Sequence, residues 1–320
     1  MIKVIRYTSE LKDLWDRFVL RSNNGTIFHL QSFLEYHLDR TFDWHHLVFF
    51  EGKEILAVLP GARMATTFES PIGASYGSFV TGEISFEKSV ALVDAFSQYC
   101  REAGFERTLL TPPPFIYQSS LSQNIDYALA YRGFQFDKHY ISHAVPLRSA
   151  GDVRSFHSTA RRYVRKYLRE QNIAITLSTD LEAFYPILVA NKRRHGVQPT
   201  HSLEELKKLR RIFPDKVLLF LVTRGSRPIA GSLVFLCNTK VALCFYNMLL
   251  YSYEQYHPIH AVMYEVIRWA VERGFEWLDL GVSQDTHALN PMTPAMSLIR
   301  FKEQFRARGI LRSTWYKRFQ

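Results

Sequence analysis

Asp279, Ser283 and Lys302 crowd one short stretch of the chain, Gly274 to Phe305. It opens GFEWLDLGVS, passes a loop carrying Asn290, Pro291 and Pro294, and closes with SLIRFKEQF. Trp277 to Leu280 has the length and apolar content of a buried strand, entered from a helix at Gly274 and left at Gly281. Burying Phe301 and Phe305 places the Lys302 ammonium near the end of that strand. Asp279 then reads either as a general base for an amine or as the lysine's ion-pair partner. Ser283, just past Gly281, can offer a backbone N–H and a hydroxyl to a substrate.

A second group is cationic. Arg154, Arg161, Arg162, Arg165, Lys166 and Arg169 share one helical segment with no acid between 154 and 169. Val153, Phe156, Ala160 and Val164 form its apolar side. Like charges at helical spacing repel, so this face calls for an anionic neighbour, and Arg161 and Arg165 become candidate phosphate contacts. Lys192-Arg193-Arg194-His195-Gly196 closes the next helix. The macrodipole favours cations there and Gly196 suits a C′ position, which covers most of that run structurally. Residues 1–150 hold 14 Lys+Arg against 16 Asp+Glu, whereas 151–320 hold 26 against 14. All the excess positive charge lies in the second half, which suggests an anionic partner there.

The elements that must position these residues alternate helix and strand. The first half reads strand 2–6, helices 9–21 and 30–39, strands 46–50 and 54–62, and a strand near 75–80. Helix 86–103, strand 107–111, helix 119–131 and strand 135–146 follow. The second half reads helix 152–170, strand 173–178, helices 180–195 and 202–211, and strands 216–223, 228–237 and 240–248. Helix 257–272 has a clean apolar stripe and leads to strand 276–280, a short helix and a last strand at 309–317. The halves align at an offset near 171, with GFERTLL at 104–110 matching GFEWLDL at 274–280. This predicts a tandem duplication with domains at 1–150 and 151–320, meeting at Gly151.

With D-L-G-x-S after a helix and then F-K-x-x-F, in a duplicated unit of this element order, the chain resembles the FemAB-like branch of the GNAT acyltransferases. That resemblance implies an α/β fold with mixed sheets in two tandem GNAT-like domains, the basic second one catalytic. It places Lys302 by the reacting centre, where it would polarise the acyl carbonyl. It also turns Arg194 toward a groove for a phosphate-bearing substrate and sets Tyr76, in the glycine-rich SPIGASYGSFVTG, near the acceptor. The family pattern continues with glycine after the second phenylalanine, where this chain has Arg306; the turn there departs from the pattern.

The implied reaction moves an acyl or aminoacyl group from an activated donor to an amine of a cell-envelope precursor, amino sugar or amino acid. Ordinary GNAT enzymes hold the pyrophosphate of CoA on a glycine-rich loop leading into a helix. No glycine occurs from Ser232 to Arg273, so that nest cannot form between Asn247 and Pro258. The donor is therefore aminoacyl-tRNA or an acyl-CoA held by other contacts, a co-substrate and not a tightly bound cofactor. Tyr246 and Asn247, at the end of the third strand, are candidate substrate-binding residues. The same residues leave open a catalytically silent double-GNAT module that binds RNA or a nucleotide-linked glycan.

Other classes find little support. No apolar run approaches the roughly 20 residues of a membrane helix, and the N-terminus lacks an apolar h-region, so no membrane insertion and a cytoplasmic home are expected. Cys100, Cys237 and Cys244 have neither metal-ligand nor disulfide spacing and read as buried thiols, and no metal site is expected. The histidines, His143 and His257 among them, lack ligand spacing. No Walker or Rossmann pattern supports phosphoryl or hydride transfer.

Overall fold

The computed structural model describes residues 1–169, 172–285 and 288–319. The chain folds into two compact units. Among the described residues, the first holds 1–140, 288–292 and 311–319, and the second 141–285 and 293–310.

In chain order the first unit carries β1 (Ile2–Arg6), α1 (Lys12–Arg21), α2 (Gln31–Leu34), β2 (Leu47–Glu51), β3 (Glu54–Leu59) and β4 (Ala62–Met64). Then come β5 (Thr67–Ser70), β6 (Val80–Thr81), α3 (Phe86–Glu102), β7 (Arg107–Leu110), α4 (Asn124–Tyr131) and β8 (Gln135–Pro146). α3 packs Leu92, Val93 and Phe96 into a core with Phe49, Phe68, Phe79 and Trp315. The helix expected at 30–39 stops after α2. Beyond it Tyr36, His37, Phe42 and Trp44 pack ring against ring, an arrangement that helical spacing does not provide. The strand expected near 75–80 shrinks to β6, because its glycines make a loop instead.

The second unit carries α5 (Ser158–Tyr167), β9 (Ile173–Ser178), α6 (Leu181–Arg194), α7 (Leu203–Ile212), β10 (Val217–Arg224), β11 (Arg227–Leu236) and β12 (Val241–Leu249). α8 (Pro258–Glu272), β13 (Trp277–Val282) and α9 (Met296–Glu303) complete it, and β14 (Arg308–Arg318) begins there and crosses into the first unit at Leu311. Strands β9 to β12 form an antiparallel meander, and β13 joins β12 in parallel. The stripe read on α8 is borne out: Val262, Met263, Val266, Ile267 and Ala270 are buried against Val234, Ala242, Leu278 and Phe305. Each large side chain so buried is worth roughly 1.5–3 kcal/mol. The helix expected at 152–170 starts later, since Asp152 caps a separate 3-10 turn over Val153–Ser155 before α5 begins. Its expected end at Glu170 lies outside the described residues.

The last strand of each repeat pairs with the other repeat's elements. In the second unit, β8 is antiparallel to β13, Trp277 opposite Pro146 and Leu278 opposite Val145. In the first, β14 is antiparallel to β7, Trp315 opposite Leu110. The division between the units therefore falls inside β8, between Tyr140 and Ile141, and the expected seam at Gly151 follows that strand. The architecture is mixed α/β in two units. All three cysteines are buried thiols.

Candidate active site

The second unit opens along one seam of its sheet. β12 and β13 pair only at Val241–Trp277, Ala242–Leu278 and Leu243–Asp279, although β12 runs on to Leu249 and β13 to Val282. On its other edge β12 carries a register shift against β11 that leaves Phe245 unpaired between Cys244 and Tyr246. A bulge of this kind bends and twists its strand. Between the diverging ends lies a cavity of about 530 Å³. Cys244, Phe245 and Asn247 line it from β12, and Leu280 and Val282 from β13. His257 just ahead of α8, His260 and Met263 of α8, and Phe301 and Lys302 of α9 close it, with Lys192 of α6 at its edge.

Lys302 is held in that wall by the backbone of β13. Opposite β8, three steps of β13 (Asp279 to Val282) face two (Ala144 to Ser142), which is a one-residue bulge, and Gly281 there has φ +72°. Left-handed backbone suits glycine, the residue the sequence supplies. The bulge frees backbone groups, and charged side chains take them. Gly281 N–H donates to Asp279 Oδ1 at 2.7 Å, while Lys302 Nζ donates to Gly281 O at 2.8 Å and Val282 O at 2.9 Å. The third ammonium hydrogen goes to Ser283 Oγ at 2.9 Å. Lys302 is only 4% exposed, and burial lowers its pKa from the ordinary 10.5 to about 8, with the charge of Asp279 opposing that fall. It stays protonated at neutral pH, with all its donors engaged.

Behind this wall Ser283 Oγ also lies 2.9 Å from His143 Nδ1 on β8. Ser283 N–H donates to Ile141 O, so both groups it was expected to offer a substrate are engaged within the protein. Burial, first, and then the charge of Lys302 lower the pKa of His143.

The cavity mouth is aromatic and basic. His195 Nε2 lies 3.2 Å from the Tyr251 hydroxyl, and the Arg194 guanidinium sits 3.9 Å over the same ring. Where a glycine nest would stand, Tyr251–Tyr256 form a 3-10 turn and His257 takes the left-handed conformation (φ +52°) ahead of Pro258 at the first turn of α8. The His257 ring stacks on Tyr163 of α5 at 3.6 Å, and Arg162 lies over Tyr163. α5 itself presents a groove of about 630 Å³ lined by Ser158, Arg161, Arg162, Arg165, Lys166 and Arg169. Those positions recur at helical spacing. Among the described residues Arg161, Arg165, Lys166 and Arg169 form no salt bridge. The cationic stripe thus adjoins the cavity mouth through the Tyr163–His257 stack.

The expected site residues therefore separate. Lys302 and Asn247 meet in the cavity, Arg194 stands at its rim through Tyr251, and Arg161 and Arg165 line the α5 groove. Asn247 gives its amide nitrogen to Met263 Sδ at 3.1 Å, and its buried Oδ1 has no hydrogen-bond partner. Asp279, 1% exposed, is not among the described residues that line the cavity. The Tyr246 hydroxyl turns away to His201 Nδ1. Tyr76 is buried in the first unit against Phe28 and Tyr117, with Arg312 over its ring. The sequence reads His143 only as lacking ligand spacing and Lys192 only as part of a cationic helix end, and marks neither as a site residue. His143 is joined to Ser283 across 140 positions by strand pairing, which residue spacing does not register.

The family model described as acetyltransferase (GNAT) domain matches residues 154–288. No curated protein matches the sequence. Among solved structures, FemX is similar with a TM-score of 0.74 at 13% identity, over 99% of this chain and 97% of that one. L-PGS from Bacillus licheniformis is similar with a TM-score of 0.62 at 11% identity, over 98% and 93%. A tandem GNAT protein from the clavulanic acid biosynthesis pathway is similar with a TM-score of 0.58 at 8% identity, over 99% and 98%. Residues 154–288 of the second unit thus match a GNAT domain model, and the chain as a whole has the fold of FemX.

Proposed function

We propose that the protein is an N-acyltransferase whose donor and amine meet in the β12–β13 cavity of the second unit. The observation that carries this reading is a buried lysine, its ammonium nitrogen bonded to three oxygens, in the wall of an open cavity where two parallel strands diverge. The amine nitrogen attacks the acyl carbon, the carbon–oxygen bond of an ester or carbon–sulfur bond of a thioester breaks, and the leaving atom takes up a proton. The nitrogen's surplus proton passes to water at the cavity mouth. Holding both reactants in one complex supplies much of the acceleration.

Lys302 contributes a fixed charge. Its three hydrogens are already bonded, so it acts on the carbonyl oxygen through its field. A unit charge about 4 Å from an oxyanion at an effective dielectric near 20 is worth roughly 4 kcal/mol. Asp279 keeps the bulge that carries Lys302. Asn247 Oδ1 accepts an N–H of the bound acyl group or amine, the donor it lacks at present. The α5 stripe, with Arg161 and Arg165, and the Arg194 rim take the phosphates of the donor's carrier or of a phosphate-bearing acceptor, such as a cell-envelope precursor in the cytoplasm. Aminoacyl-tRNA and acyl-CoA both fit such a stripe as freely exchanging co-substrates. Among the described residues no helix is long and apolar enough to cross a membrane.

Thermal unfolding with CoA, acetyl-CoA, bulk tRNA and UDP-amino sugars, each added alone, tests this. A ligand at 100 times its Kd adds about 2.7 kcal/mol. Stabilisation by acetyl-CoA or by tRNA identifies the donor class, and Lys302→Met should then lower transfer at least about 100-fold in a folded protein. Stabilisation by none of them, or full transfer by Lys302→Met, defeats the reading.

A further inference from the structure

We propose that His143 is a positioning residue for Lys302, acting through Ser283. By accepting the Ser283 hydroxyl hydrogen it turns that oxygen's lone pairs toward the ammonium and keeps the lysine charged to a higher pH. The role in catalysis rests on the acyl-transfer reading above; the link itself does not.

One arrangement gives the buried Ser283 hydroxyl hydrogen an acceptor. An ammonium has donors only, so Ser283 Oγ accepts from Lys302 at 2.9 Å. The one hydroxyl hydrogen must then point elsewhere, and His143 Nδ1 is 2.9 Å away. The hydroxyl could instead accept from both neighbours, but its own buried hydrogen would then bond to neither, which is unfavourable. The satisfied arrangement has Nδ1 unprotonated, the ring neutral and its hydrogen on Nε2. Ser283 and His143 are both buried, at 0% and 2% exposure, so water does not substitute for either bond. With His143 in place the hydroxyl cannot donate to Lys302. With that acceptor removed, the hydroxyl is free to rotate and donate to an uncharged Nζ, which favours loss of the lysine's proton.

The charged and titratable groups facing this pair are Asp279 on β13, Cys244 on β12 and Glu303 on α9. His260 of α8 lines the same cavity. Asp279 and Glu303 favour charge on the pair, burial opposes it, and none of these groups supplies the hydrogen-bond acceptor that His143 does.

The test reads Lys302 without needing a substrate. Between about pH 8 and the ordinary lysine value of 10.5, the unfolded chain holds more protons on this side chain than the folded one. Stability therefore rises with pH across that window through this group. Thermal unfolding from pH 6 to 10 locates the onset, taken as the difference from Lys302→Met at each pH. His143→Leu removes the acceptor and should move the onset down by about half a pH unit or more. His143→Asn puts an amide oxygen where Nδ1 stood and should restore it. Should His143→Leu fail to fold, Ser283→Ala cuts the same link from the other side and should also move the onset down. An onset unmoved by His143→Leu and Ser283→Ala, an equal shift in the Leu and Asn variants, or a rise that survives Lys302→Met would overturn the proposal. Failure of the acyl-transfer reading would appear instead as absence of ligand binding with the pH curve intact.

Discussion

Each unit builds a parallel strand pair from the same repeat, and the two pairs end differently. In the first unit β5 is paired with β7 along its whole length, Thr67–Arg107 through Ser70–Leu110. The loop after it then closes over the strand ends. Thr111 N–H donates to Ser70 O, Gly77 N–H to Thr111 O, and Ser78 N–H to Ser70 Oγ. Near Ser78 and Pro112 only about 40 Å³ of cavity remains. In the second unit β12 continues six residues past its last partner in β13, and the corresponding notch is open. Leu109 stands in the first repeat where Asp279 stands in the second. One copy of the duplication has a plugged notch with an apolar strand, and the other has an open notch with a charged one. The glycine-rich loop that the sequence offers as an acceptor site is, in its own unit, the plug.

The largest effect expected from this contrast is the charge that the open notch holds. Lys302 is lowered to about 8 mainly by burial, so folding at neutral pH carries the cost of desolvating an ammonium. The unfolded chain keeps its proton up to about 10.5, and the stability regained between those values is on the order of 3 kcal/mol. Urea unfolding of the native protein and of Lys302→Met, compared at pH 7.5 and 10, should show a gain of that size in the native protein that the variant lacks. Equal pH dependence in the two would mean that the lysine is solvated and the notch is not the dry pocket described.

The plug predicts a smaller effect of opposite character. A Cβ on Gly77 would stand 2.5 Å from Ser70 Oγ and 2.6 Å from the Pro71 nitrogen. Ser70 Oγ is pinned by Pro60 O and by Ser78 N–H, so the collision cannot be relieved by rotating the serine. Gly77→Ala should destabilise the protein by about 2 kcal/mol in urea unfolding. Ligand affinity in the second unit should be unchanged. Lost affinity at intact stability would show that this loop reaches the substrate after all, as its sequence suggested.

The limits of sequence reading follow the same contrast. The α8 stripe, the β10–β12 run and the duplication were legible because local spacing fixes them. So was the crowding of Lys302 against the end of β13, since Phe301 and Phe305 both had to be buried. The strand exchange was not legible: the apolar pattern of β8 demands a partner but does not name β13. Nor was the direction of each strand tip, and so Asn247 was grouped with Tyr246 although the two face opposite sides of β12. Asp279 was legible as a direct ion-pair partner of Lys302, but not as a residue joined to it through the opposite ends of one bulge, which only Gly281 hinted at. His143 became visible only when strand pairing brought it to Ser283.

The smallest effect concerns the position where the chain departs from the pattern of the family that its sequence resembles. Arg306 follows Phe305 where that pattern has glycine, and it adopts the left-handed backbone that suits glycine, at φ +67°. That conformation costs roughly 1–2 kcal/mol for a residue with a Cβ. Part of this is offset by the hydrogen bond from Arg306 Nε to Ser155 O, which ties the end of α9 to the turn before α5. That bond lies at the surface and contributes about 0.5–1.5 kcal/mol. Arg306→Gly removes both, and the strain is the larger, so stability should rise by about 0.5 kcal/mol while the cavity and its lysine are unaffected. A fall of more than about 1 kcal/mol in the midpoint analysis would show that the tie to Ser155, and not the glycine's backbone freedom, is what this chain relies on to hold α9 against β13.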